Sequence, residues 1–222
     1  MTAMNTKRII FWLIFLVILG LIVWGLSVAM NRQQGGVPKL GSPSPVTVDD
    51  HVRGPADAPV TIIEYSDFQC PACAAYNPLV EKLISESTST VRFVYRHFPL
   101  YPLPHKNAVV AAQAAEAAGM QGKFWDMGRL LFVNQLAWEA SDKPESIFEE
   151  YAQRIGLDIA LYKKDFAADA TKARVQRDRD EGDTLGINAT PTFFVNGKAI
   201  VNPNGYEAFK ALVDAAARGG AQ

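Results

Sequence analysis

The sequence predicts an α/β domain carried behind one N-terminal transmembrane helix, with a block of helices inserted into the sheet-forming part. Three observations carry that prediction. Residues 9–30 contain no charged side chain, and such a run at about 1.5 Å per residue reaches roughly 33 Å, enough to cross a hydrocarbon core. Pro59–Tyr65 and Val91–Tyr95 are short and rich in apolar and β-branched residues, and a helix-periodic stretch separates them. That order gives a right-handed crossover with parallel strands. Near the C-terminus, Thr192–Val195 and Ala199–Val201 flank Asn196-Gly197-Lys198, a hairpin signal because such a turn needs positive φ.

Residues 1–8 hold Lys7 and Arg8, whereas Arg32 is the nearest basic residue after the apolar run. The positive flank keeps the N-terminus in the cytoplasm and sends the domain to the extracytoplasmic side of the membrane. A cleaved signal peptide is the rival reading, since Ser27-Val28-Ala29 is a tolerable cleavage site. The run is longer than the roughly 7–15 residues of a signal-peptide core, so an uncleaved anchor is expected. Residues 31–46 mix Gly, Ser and Pro and read as a flexible linker, leaving 47–222 for the domain. A net charge of -1 and an ordinary apolar content suit one globular domain and suggest no nucleic-acid partner.

Within the domain, the first strand carries a single charged residue, Glu64. From Ala72 to about Ser85, Tyr76, Leu79, Val80, Leu83 and Ile84 recur at three- and four-residue steps, which makes an amphipathic helix that Pro78 should kink. After the second strand and a proline-rich loop, an alanine-dense helix is expected over His105–Met120 and another over Lys123–Val133. Further helices follow at Pro144–Ile155, with Ser141 or Asp142 as cap and Gly156 as stop, at Asp158–Ala168 and at about Ala170–Leu185. The helical insertion thus covers about 105–185, and Gly205–Arg218 closes the chain with a helix.

The chain has two cysteines, both in Cys70-Pro71-Ala72-Cys73 at the junction of the first strand and its helix. A structural metal site takes four Cys or His ligands, and the three histidines, His51, His97 and His105, are scattered. A disulfide closing so short a loop constrains the unfolded chain very little. Reversible dithiol chemistry is what remains. At a helix N-terminus, open N–H groups and the macrodipole favour a thiolate at Cys70, lowering its pKa from about 8.5 into roughly 3.5–7.5. Cys73, one turn further in, should be more buried and suited to resolving a mixed disulfide. Export agrees with that chemistry, because an oxidising compartment lets such a pair act as an oxidant.

Glu64-Tyr65-Ser66-Asp67-Phe68-Gln69-Cys70-Pro71-Ala72-Cys73 and Ala189-Thr190-Pro191-Thr192-Phe193-Phe194-Val195-Asn196-Gly197 resemble the active-site and cis-proline segments of the DsbA-like branch of the thioredoxin superfamily. The likeness covers nearly everything from Val60 onward. It implies a thioredoxin fold with an inserted helical subdomain, and thiol:disulfide oxidoreductase activity that introduces disulfides into exported proteins. It also implies a cis bond before Pro191, substrate contact at Thr190, Pro191, Pro71 and Ala72, and a buried acid at Glu64 that moves the Cys73 proton. The cofactor would be the Cys70–Cys73 disulfide itself, with no metal or nucleotide. A quinone-linked re-oxidase of DsbB or VKOR type would restore it. The prototype of the branch carries histidine in its dipeptide where this chain has Ala72, so a weaker oxidant is expected.

Three rival readings follow from the same residues. A reductase or isomerase of the same fold is compatible with Thr190, although no dimerisation segment is visible and a monomer is expected. A Cu(I) chaperone would use both thiolates and want a third ligand from His97 or His105. A non-catalytic peptide-binding module would tolerate serine at Cys70. Otherwise the histidines take no assigned role, Asp67 reads as a turn or cap residue, and Arg174–Asp183 reads as a solvated helix face.

Overall fold

A computed structural model describes residues 12–24, 40–102 and 104–219 of the chain. The chain forms two compact units, 1–38 and 39–222. In the first, residues 12–24 form a helix, α1, whose apolar side chains are exposed. Among the described residues, no helix is long and apolar enough to cross a membrane. The remainder of the expected span, 9–11 and 25–30, and its flanks Lys7, Arg8 and Arg32 lie outside the described residues.

The second unit is built on a five-stranded sheet in the order β1-β3-β2-β4-β5, formed by β1 His51–Arg53, β2 Val60–Ser66, β3 Val91–His97, β4 Thr192–Val195 and β5 Lys198–Ala199. β2 and β3 pair in parallel across the crossover helix α2, Pro71–Glu86, as their sequence order requires. The helix runs on through Pro78. Alternation along the strands sorts side chains to two faces. Val60, Ile62, Phe93, Tyr95, Phe193 and Val195 face the larger core, while Ile63, Tyr65, Val94 and Phe194 face a smaller one with Phe98 and Ile187. Glu64 shares the parity of Ile62, opposite Tyr95 on β3 and Phe193 on β4, so its carboxyl points into the larger core.

The turn after β4 has Asn196 at φ 47° and Gly197 at φ 78°, the positive pair the hairpin signal demands. Its second strand is shorter than expected: β5 ends at Ala199, and of the anticipated strand residues Ile200 still donates to the Phe193 carbonyl at 3.1 Å. β1 was not legible in the sequence, being too short for any periodicity; it pairs antiparallel with β3.

The insertion comprises α3 Ala108–Gly119, α4 Phe124–Val133, the short α5 Gln135–Trp138, α6 Pro144–Arg154, α7 Ile159–Ala167 and α8 Asp169–Leu185, and α9 Tyr206–Gly219 follows the hairpin. Alanines bury most of α3, which lets its neighbours approach closely from several sides. Lys143 occupies the cap position of α6, in place of Ser141 or Asp142, because Pro144 starts the helix; Ser141 Oγ instead accepts from the Lys143 N–H at 3.1 Å.

The solvated-face reading of Arg174–Asp183 needs correction. Asp178 and Gly182 are buried, Asp178 accepts the His97 N–H at 3.0 Å, and a Cβ on Gly182 would meet the Phe98 ring at 2.4 Å. Arg96, 2% exposed, bonds Asp50 Oδ1 at 3.0 Å and Glu181 Oε2 at 3.0 Å. Alternating charge spacing could not reveal this, because Arg96 and Asp50 come from other parts of the chain. Residues 40–46, assigned from sequence to the linker, lie along α8: Gly41 N–H donates to the Leu185 carbonyl at 3.1 Å and Ser44 N–H to Glu181 Oε1 at 2.7 Å.

Candidate active site

Cys70 is the N-cap residue of α2, in extended backbone at φ -76° and ψ 121°. Its own N–H donates to the Asp67 carbonyl at 3.0 Å, and its carbonyl accepts from Ala74 at 3.1 Å. Pro71, at the first helical position, has no N–H, so the next amides, of Ala72 and Cys73, open toward the Cys70 sulfur. Pro71 and Ala72 are exposed beside it; Cys70 is 6% exposed and Cys73 fully buried.

From the other side comes the Thr190–Pro191 segment, joined by a cis peptide bond and buried at both residues. The Cys70 thiol lies 3.3 Å from the Thr190 carbonyl oxygen and donates to it. Asn202 Nδ2 donates to the Pro191 carbonyl at 2.8 Å, which fixes the segment against the strand end. Residues separated by 120 positions therefore meet at one sulfur.

The electrostatics divide the two thiols. The Cys73 thiol, hydrogen-bonded to Cys70, does most to pull the Cys70 pKa down to about 5; burial opposes it, and the Cys73 and Ala72 amides add to it. Burial pushes the Cys73 thiol well up, reinforced by its bond to Cys70 and by the nearby negative charges of Cys70 and Glu64. Glu64 is raised to about 7, by burial first and then by charge on Cys70 and Glu81, with a Ser66 interaction opposing. Burial likewise raises Tyr95, beside Glu64 and Cys73. The site thus holds one acidic thiol, one reluctant thiol and one carboxyl that titrates near neutrality.

The approach to Cys70 is held by a polar web. Asp67 Oδ1 accepts the Gln69 N–H at 2.7 Å, the turn role read from sequence, while Oδ2 accepts the Leu100 N–H at 2.9 Å and bonds His105 Nδ1 at 2.6 Å. Gln69 Oε1 accepts the Asn107 N–H at 2.7 Å, and Gln135 donates to the Phe68 carbonyl at 2.8 Å. The histidines left without assignment are therefore engaged. His105 pairs with Asp67, and His51 and His97 both bond Glu116 Oε1 through Nε2 at 2.7 Å. No sequence signal marks these partners, which lie 19 to 65 residues apart.

Among the described residues, His51, His97 and Glu116 are the one set of three whose ligand atoms lie within 4.8 Å of one another. Their 2.7 Å contacts are hydrogen-bond lengths, shorter than the roughly 3.4 Å between donors around a tetrahedral ion with bonds of about 2.1 Å. His97 Nδ1 is buried with no partner, whereas a ligating histidine donates its second N–H. The cluster is a hydrogen-bonded triad. No third His, Cys or carboxylate ligand joins the two sulfurs among the described residues, so the Cu(I) reading lacks the ligand it wanted.

Comparison with known proteins agrees with this geometry. The family described as Thioredoxin matches residues 46–215. Oxidised BdbD from Bacillus subtilis superposes with a TM-score of 0.70 at 25% identity, over 82% of this chain and 100% of that one. A thioredoxin-like oxidoreductase from Silicibacter pomeroyi gives 0.65 at 26% identity, over 78% and 94%. Alpha-DsbA1 from Wolbachia pipientis shares the fold, with a TM-score of 0.70 at 18% identity over 79% and 94%. Curated relatives of higher identity are longer proteins. Na(+)/H(+) antiporter NhaA 3 of Salinispora tropica is 43% identical over 76% of this chain and 25% of its own length, and NhaA 1 of Salinispora arenicola 43% identical over 79% and 26%. The chain spans about a quarter of those relatives, and the antiporter name describes them as wholes.

Proposed function

We propose, from the premise that this chain belongs to the thioredoxin family and is a DsbA-like member of its superfamily, that it is a dithiol oxidase placing disulfides in exported proteins. The observation that carries the reading is the placing of the two sulfurs: Cys70 caps α2 beside the exposed Pro71-Ala72 and lies 3.3 Å from the Thr190 carbonyl that precedes cis-Pro191, while Cys73 is buried one turn further in, an arrangement that lowers the Cys70 pKa and raises that of Cys73. A thiolate at Cys70 stabilises the reduced pair and so makes its disulfide more oxidising. An oxidant milder than DsbA is the expectation carried over from Ala72, since the dipeptide offers the thiolate no imidazole.

In the proposed reaction a substrate thiolate attacks the Cys70 sulfur of the Cys70–Cys73 disulfide. The S–S bond breaks and Cys73 leaves, taking the electron pair and then a proton. Glu64, titrating near 7 on the same side of the sheet, is the proton donor to Cys73. A second substrate thiolate then attacks the substrate sulfur of the mixed disulfide and releases Cys70 as thiolate. Two electrons have passed to the protein, and the substrate holds a disulfide. The Thr190–Pro191 segment offers its backbone to an extended substrate chain, beside the exposed Pro71-Ala72 dipeptide.

Residues 9–30 are proposed as an uncleaved anchor that leaves the domain on the extracytoplasmic side, where a quinone-linked re-oxidase of DsbB or VKOR type accepts the two electrons. The test is to mix the disulfide form with a reduced peptide dithiol. One equivalent of oxidised peptide per protein supports the reading, and Cys70→Ser should abolish transfer; reduced Cys73→Ala, given the peptide disulfide instead, should accumulate a Cys70–peptide mixed disulfide because no second protein thiol resolves it. Transfer that persists in Cys70→Ser overturns it.

A further inference from the structure

The CxxC dipeptide of this chain contributes no polar side chain, since Pro71 and Ala72 stand between the cysteines. An imidazole nevertheless reaches the turn that presents Cys70. Asp67 accepts the Cys70 N–H with its backbone carbonyl at 3.0 Å and bonds His105 Nδ1 with Oδ2 at 2.6 Å. Two more bonds, Leu100 N–H to Asp67 Oδ2 at 2.9 Å and Asn107 N–H to Gln69 Oε1 at 2.7 Å, clamp the loop carrying His105 onto the residues that enter α2. The His105 side chain is 11% exposed and that of Asp67 fully buried, so the pair has little freedom to part.

We propose that His105, oriented by Asp67, supplies from outside the CxxC motif the positive charge that the dipeptide lacks, and as the imidazolium steadies the Cys70 thiolate and raises the oxidising power of the pair. His105 is a positioning residue in this scheme, and the inference rests on the dithiol reading above. An ionised Asp67 and a protonated His105 carry no net charge together, so what the imidazolium adds is to neutralise the Asp67 carboxylate that the turn holds beside Cys70, with the Gln69 and Leu100 amides fixing that carboxylate in place. The charged groups that act on His105 are Asp67, Cys70 and Glu139, all negative when ionised. Its affinity for a proton is raised, first by the Asp67 hydrogen bond, with burial opposing and the charges of Asp67, Cys70 and Glu139 adding. Coupling between two sites is reciprocal, so a Cys70 thiolate that holds a proton on His105 is itself held by that proton.

The test uses the reduced full chain, with the thiolate followed by its ultraviolet absorbance and the imidazole by NMR across pH. Replacing His105 by Asn keeps a donor near Asp67 and removes the charge. The Cys70 midpoint should rise by about one pH unit, which at pH 7 makes reduction about tenfold less favourable and lowers the potential by about 30 mV. In Cys70→Ala, which does not depend on the first variant folding, the His105 midpoint should fall by the same amount. A purely structural tie would not produce that matched pair of shifts. If the wild type cycles between dithiol and disulfide but both midpoints stay within about 0.2 pH unit, this inference is overturned alone. If the wild type does not cycle, the dithiol reading falls and takes the inference with it.

Discussion

Replacing Glu64 by Gln isolates the buried carboxyl from everything else in the site. Glu64 is fully buried, and its pKa moves from 4.5 in a free chain to about 7 in the fold. A folded pKa above the unfolded one means that the fold favours the protonated acid. The stability it contributes is complete below pH 4.5 and is lost as pH rises from there through 7. At about 1.4 kcal/mol per pH unit, the gap corresponds to about 3 kcal/mol between pH 4 and pH 8. Gln cannot ionise, so its stability relative to wild type should improve by that amount over the same interval, on top of a constant offset from repacking an amide. Cys70 titrates in an overlapping range in the reduced protein and its charge is one of the causes that raise Glu64, so repeating the comparison in a Cys70→Ala background separates that coupling from burial. Urea unfolding of the two reduced proteins at pH 4 and pH 8 reads the effect, and in a domain of this size the relative melting temperature should shift by roughly 6–12 °C. A difference that is the same at both pH values would refute the assignment of a buried, neutral-titrating carboxyl at Glu64.

Two further outcomes test the frame around the site. Gly182→Ala would set a Cβ 2.4 Å from the Phe98 ring, and overpacking of this kind should cost about 1–3 kcal/mol, read as a lower urea midpoint with an unchanged m value. Glu116 lies well below the usual carboxylate range because its bonds to His51 and His97 outweigh burial, so its stability is present above pH 4.5 and lost as pH falls. Glu116→Gln should therefore cost about 1–3 kcal/mol near neutrality, and the gap to wild type should narrow in acid.

The chemistry was legible because it is written locally. The CxxC at a strand–helix junction and the TPTFFVNG segment each occupy consecutive residues, and the structure brings both to one sulfur. Glu64 was readable as the lone charge in an apolar strand, with period-two alternation fixing which face it takes. What stayed hidden depends on partners distant in sequence. His105 finds Asp67, His97 finds Glu116, and Arg96 finds Asp50 and Glu181, and nothing in the spacing of any one segment announces the other. β1 and the shortened β5 escaped for a different reason, since strands of three and two residues carry no usable periodicity and are fixed by their neighbours in the sheet.

The central claim, that Cys70 and Cys73 form a reversible pair poised by an acidic Cys70 thiolate, is tested most directly by equilibrating the protein against glutathione at pH 7 and measuring its reduction potential. A lowered Cys70 pKa at a helix N-terminus, with no imidazole in the dipeptide, predicts a value between the roughly -270 mV of thioredoxin and the roughly -120 mV of DsbA. A potential at or below that of thioredoxin, or no interconversion of dithiol and disulfide at all, would contradict it.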